Sequence, residues 1–161
     1  MLFDRYEQEV RRFLARMQVP SGDLDDLVQV TFLEVVRPAQ RFDATRDVRP
    51  WLFGLAAISV KRHRRTLGRV ARKLAAWARE PMTSRQKSPA ELAEETDSAR
   101  RAALALQTLS AKKRDVFVMV VMENLSGEAT ARALGIPVAT VWTRLHHARR
   151  ELQGMLREDA R

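Results

Sequence analysis

Apolar residues return at intervals of three and four from the start of the chain. Phe3, Tyr6, Val10, Phe13, Leu14 and Met17 share one stripe of a helix that the turn-forming run VPSGD ends. A second stripe follows in Leu24, Leu27, Val28, Phe32 and Val35, with Asp23 placed to cap its start and Pro38 to interrupt it. After RFDATRDVRP, Trp51, Leu52, Leu55 and Ala56 open a third helix that runs into a basic stretch. Residues 80–89, EPMTSRQKSP, hold two prolines, three hydroxyl residues and no apolar stripe, so they form a flexible linker with nothing apolar to hold its flanks together. Helix resumes at a capping box, with Ser88 as cap, Pro89 at the first helical position and Glu91 three residues after the cap. DVFVMVVME has strand composition, but helices flank it closely and no second strand exists to pair with it, so it reads as helix. The fold class is therefore all-α: a small helical domain over 1–79, a linker over 80–89 and a second small helical domain over 90–161.

The second domain carries a break of a particular kind. Within RALGIPVATVWTRLHHARREL, Ala131, Gly135 and Val141 stand at separations of four and six. A small residue lets two helices approach, a glycine takes the left-handed turn, and an apolar residue anchors the helix that follows, which Pro137 starts. This is the spacing of a DNA-binding helix-turn-helix, and plain helical hairpins also show it. If Val141, Leu145 and Ala148 are buried, then Thr140, Thr143, Arg144 and His147 are free to enter a major groove, with Arg149 farther along to hold a phosphate.

Charge sharpens that reading. The net charge of +9 owes something to arginine-rich usage, 24 of the 29 basic residues being Arg, so its distribution is more telling than its size. Residues 1–60 carry eight basic and nine acidic groups, whereas 61–79, KRHRRTLGRVARKLAAWAR, carry eight basic and none acidic. Such a block suits phosphates, because nothing nearby cancels its field. Lys61, Arg62, Arg64 and Arg65 are its leading candidates. The absence of cysteine excludes disulfides and thiolate metal sites. The longest apolar run, VFVMVVM, is far short of the roughly 20 residues of a membrane span, and no signal-like N-terminus is present, so no membrane insertion and a cytoplasmic location are expected.

LSAKKRDVFVMVVMENLSGEATARALGIPVATVWTRLHHARREL resembles region 4 of extracytoplasmic function (ECF) sigma factors, through Leu109, Arg114, Val116, Phe117, Glu123, Leu125, Ser126, Leu134, Gly135, Pro137, Thr140, Val141, Arg144, Leu145, Ala148 and Arg149. DDLVQVTFLEVV, RFD and VRPWLFGLA are similar to region 2 of the same family. The resemblance implies a sigma factor that directs RNA polymerase core to promoter DNA. Asp25, Asp26, Leu27, Gln29 and Phe32 would dock on the polymerase, the basic block would engage the −10 element, and Thr140, Thr143, Arg144, His147 and Arg149 the −35 element. An anti-sigma factor is a partner that such proteins often have, although no residue here marks one. The chain departs from the pattern at Val30, where an acidic residue is usual, at Ile58, where an Asn is usual, and at Trp142, which replaces a basic or polar residue. Trp142 suits either a thymine methyl or deoxyribose, or packing against the first helix of the motif. Trp51 and Phe53 suit base stacking or, more simply, the core.

Two rivals remain. A helix-turn-helix regulator that acts without polymerase explains the second domain but not the first. An enzyme would need a site. His146, His147 and Glu151 offer metal-binding spacing without a third ligand, and no nucleophile, phosphate loop or cofactor motif accompanies them, so no catalytic residue, metal or cofactor is expected.

Overall fold

In the computed structural model of the chain, the first apolar stripe becomes α1, Leu2–Arg16, which buries Val10, Phe13 and Leu14. Its end is a backbone device. Gln18 takes the left-handed conformation at φ 62°, its amide donates to Ala15 O at 2.9 Å, and Val19 N donates to Leu14 O at 3.2 Å. These bonds close carbonyls that the helix end would leave open. A 3-10 turn, Ser21–Asp23, leads into α2, Leu24–Val36. Asp23 ends that turn, and its carboxylate lies 3.0 Å from His63 Nε2. The structure describes residues 2–36, 45, 47–77 and 97–158. The Pro38 break, the 80–89 linker and the Ser88 capping box lie outside them.

The apolar start and the basic block form one rod, α3, Val48–Trp77, whose 30 residues span roughly 45 Å at about 1.5 Å per residue. Its first turns bury Leu52, Phe53, Ala56 and Val60. The Phe53 ring stacks on Phe13, with centroids 4.6 Å apart and planes 8° from parallel, so Phe53 belongs to the core and not to a base-stacking surface.

The second unit contains α4, Asp97–Thr108; α5, Ala111–Phe117; a π-helical segment, Val118–Met122; α6, Gly127–Leu134; and α7, Val138–Glu158. DVFVMVVME is helical as expected, but its last turn is wide: Glu123 N donates to Val118 O at 2.9 Å and Leu125 N to Met119 O at 3.0 Å. Asn124 at φ 55° closes it. Among the described residues there is no strand.

The two units share one core. Leu106, Leu109, Val118, Met119, Leu125 and Ala148 cluster with Val10, Phe13, Leu52 and Phe53 of the first unit. What joins them is the crossing of α3 and α6. A Cβ on Gly54 would lie 3.2 Å from both Cα and Cβ of Ala133, so glycine and alanine allow the close approach. Charge frames the seam. Glu123, 6% exposed, accepts from Arg16 Nη1 at 2.5 Å and lies 3.5 Å from Arg49 Nη2.

Candidate nucleic-acid interface

The turn between α6 and α7 is built as the sequence spacing requires. Ser126 caps α6 by accepting from Ala129 N at 3.1 Å. Gly135 ends it at φ 64°, with Ile136 N donating to Ala131 O at 3.0 Å. Val141, Leu145 and Ala148 are buried, and Val141 and Leu145 pack with Ala131 and Val116. Opposite this stripe α7 exposes Thr143, His146, His147, Arg149 and Arg150, while Thr140 and Arg144 are half-buried. Thr143 Oγ1 donates to Ala139 O at 3.0 Å, and His147 meets His146 edge to face at 5.7 Å. Arg144 lies on the flank toward α5, near enough to Asp115 for its charge to act on that carboxyl. The face therefore centres on Thr143 and includes His146 and Arg150 beside the residues proposed for base and phosphate contacts. Their signal was the position opposite the buried stripe.

Of the basic block, Lys61 and Arg65 are exposed. Arg62 is ion-paired with Glu34. Arg64 turns into the seam between the units, 3.2 Å from Asp115 Oδ1, and donates to Met17 O at 2.6 Å. Burial pushes the Asp115 carboxyl up, against the pull of Arg64, Arg114 and Arg144. Arg69 and Arg72 continue the exposed basic line and form, with Arg62, Arg64 and Arg65, the wall of an open groove. The recurrence of Arg62, Arg65, Arg69 and Arg72 at intervals of three, four and three was the legible signal.

On α2, Asp25, Asp26 and Gln29 are exposed, and Asp25 is held by Arg11 Nη1 at 2.6 Å. Leu27, 5% exposed, is core, and Phe32 is half-buried with its ring against Phe3 at 4.9 Å. These two support the helix more than they present a surface. Two apolar residues do face outward: Val30 is 40% and Leu33 70% exposed. Asp26, Gln29, Val30 and Leu33 form a second stripe at helical spacing, which the stronger core stripe obscured. Among the described residues no group of three or more His, Cys, Asp or Glu is placed to hold a metal ion, and no helix is long and apolar enough to cross a membrane.

An all-helical chain with a helix-turn-helix in one unit, a basic rod in the other and a semi-apolar helical face beside it has the equipment of a protein that works on DNA together with a partner. Residues 2–70 match the Sigma-70 region 2 family and residues 99–152 the Sigma-70, region 4 family. RNA polymerase sigma factor CarQ of Myxococcus xanthus is 31% identical over 98% of this chain and 88% of its own, and ECF RNA polymerase sigma factor SigX of Bacillus subtilis is 26% identical over 99% and 85%. Among solved structures, the sigma factor RpoE of Bartonella quintana, in complex with the anti-sigma factor NepR, has the same fold at a TM-score of 0.79, with 22% identity over 96% of this chain and 94% of its own. CnrH in complex with the cytosolic domain of CnrY superposes at 0.69, with 25% identity over 98% of this chain and 86% of its own. The chain belongs to the sigma-70 family and is an ECF sigma factor with regions 2 and 4. This is a family of promoter-directing factors, not of enzymes.

Proposed function

We propose that this sigma factor docks on core RNA polymerase through the outward stripe Asp26, Gln29, Val30 and Leu33 of α2, engages the −10 region through Lys61, Arg62, Arg65, Arg69 and Arg72, and reads the −35 element with α7. The observation that carries the reading is the pairing, in one chain, of the Gly135 helix-turn-helix with a separate basic rod beside an exposed semi-apolar helix. DNA alone gives no reason to leave Leu33 70% exposed, whereas a protein surface does. The polymerase-independent regulator has no observation in its favour.

The reading also demands movement. Elements centred about 25 base pairs apart lie on the order of 85 Å apart along B-DNA at about 3.4 Å per step. A compact chain of 161 residues has a radius of gyration of about 15 Å. The α3–α6 seam must therefore part before both elements are held at once, which frees Arg64 for phosphate. A related fold is seen with the anti-sigma factor NepR bound, and a partner that bridges both units of this chain would oppose that opening.

In vitro transcription with purified core polymerase and genomic fragments tests the reading. The full chain should confer initiation at a discrete set of start sites, each preceded by shared −10 and −35 sequences. Specific DNA binding without any effect on initiation would overturn it.

A further inference from the structure

Trp142 departs from its family pattern, and the structure gives it an unusual seat. Its six-membered ring lies directly over Gly127, the first residue of α6. A Cβ built on that glycine would stand 2.4 Å from Trp142 Cζ2, 2.9 Å from Cε2 and 3.1 Å from Cη2. No residue with a side chain fits beneath the ring without displacing it. Gly127 is buried, yet Trp142 remains 48% exposed, so one part of the indole rests on α6 while the rest faces solvent. Trp142 follows Val141 of the buried stripe and precedes Thr143 at the centre of the exposed face. It therefore stands at the edge of the reading face, in the N-terminal part of α7 where a recognition helix meets base edges.

A large apolar surface held beside a line of Thr, His and Arg needs an apolar partner in the groove. The major groove offers one such group on its base edges, the 5-methyl of thymine. We propose that Trp142 is a specificity-determining residue that selects thymine at one position of the −35 element through that methyl, and that Gly127 is its positioning partner. The inference rests on the assignment of α7 to the −35 element.

The test uses holoenzyme assembled from the full chain and core polymerase. After selection from a randomised −35 library, each thymine of the selected element is replaced singly by deoxyuridine, which removes only the methyl. One replacement should weaken binding by wild-type holoenzyme about 4-fold, the worth of roughly one buried carbon, and should have no effect with Trp142→Ala. Gly127→Ala dislodges the ring without altering any other group on α7, so it should reduce the same preference, and should reduce it no further in the Trp142→Ala background. Trp142→Phe keeps a shorter aromatic ring at the same place on α7. It should melt near the wild type and retain part of the discrimination, which separates recognition from a folding defect. If deoxyuridine costs nothing at every thymine, or costs wild type and Trp142→Ala alike, the proposal is overturned and the ring serves packing or a sugar contact. If wild-type holoenzyme initiates but selects no −35 sequence, the assignment of α7 fails, and the thymine contact fails with it.

Discussion

Arg64 Nη1 lies 3.2 Å from Asp115 Oδ1, a contact between the basic rod of one unit and α5 of the other. The side chains are only 29% and 20% exposed, so solvent screens the pair less than it would a surface bridge. Removing Arg64 leaves the carboxylate with one cation fewer in a site whose desolvation already opposes its charge. Arg64→Ala should therefore lower stability by about 1–3 kcal/mol in urea at pH 7, and Asp115→Asn in that background should recover part of the loss. A purely additive double mutant would show that the two groups do not interact.

The same carboxyl gives a pH dependence with a definite sign. Its folded-state proton affinity is raised above the ordinary value of 3.8, mainly by burial. Stability from this group is fully present below the ordinary value and is lost as the pH rises through the raised one. Asp115→Asn should flatten that component of the stability profile in the acidic range. A wild-type profile unchanged by the substitution would mean that Asp115 titrates normally.

The docking stripe on α2 separates binding from folding. Leu33 is 70% exposed, so Leu33→Asp should change stability by less than about 0.5 kcal/mol. Capture of core polymerase should nevertheless fall at least about 10-fold, as should capture by the Asp26→Lys, Gln29→Lys double variant. Equal capture by both variants, with helical circular dichroism intact, would remove α2 from the interface.

Much of this arrangement was legible in the sequence because local rules carry it. Gly135 and Pro137 announce the turn, and Val141, Leu145 and Ala148 announce the buried side of α7, through spacing and backbone chemistry alone. Arg64 was not legible in the same way. Nothing local distinguishes it from Arg62 or Arg65; only the approach of α5, 51 residues away in sequence, brings Asp115 to it. Glu123 was visible as part of a family pattern, but its burial between Arg16 and Arg49 depends on the close crossing that Gly54 and Ala133 permit. Leu33 was missed because the core stripe on α2 dominates the periodicity and hides the weaker one opposite.

The exposed basic line on α3 should act through phosphates. Arg65, Arg69 and Arg72 lie along one exposed side of the rod. Replacing all three with Ala should reduce the salt dependence of holoenzyme–promoter binding by up to about 3 units of logarithmic slope, with little change in which −10 sequence is preferred. An unaltered slope would assign the line to solvated surface.

Arg144 poses a sharper choice, because it is half-buried on the α5 side of α7 and its charge acts on Asp115. A guanidinium there can remain inward as a structural cation or swing toward the groove, where it can bond a guanine edge with two donors, worth roughly 1–3 kcal/mol of discrimination. Opening of the α3–α6 seam takes Arg64 from Asp115 and leaves Arg144 under the stronger pull of that carboxyl, so the second role requires the guanine contact to outcompete it. Arg144→Ala should then relax preference at one or two adjacent −35 positions while capture of core polymerase is preserved. Arg149→Ala, at an exposed position farther along the helix, should weaken binding evenly across sequences as a phosphate contact does. A saturation library of −35 sequences distinguishes the two. Uniform loss at every position for Arg144→Ala would make it a backbone or structural cation and move base readout to Thr143, His147 and their neighbours.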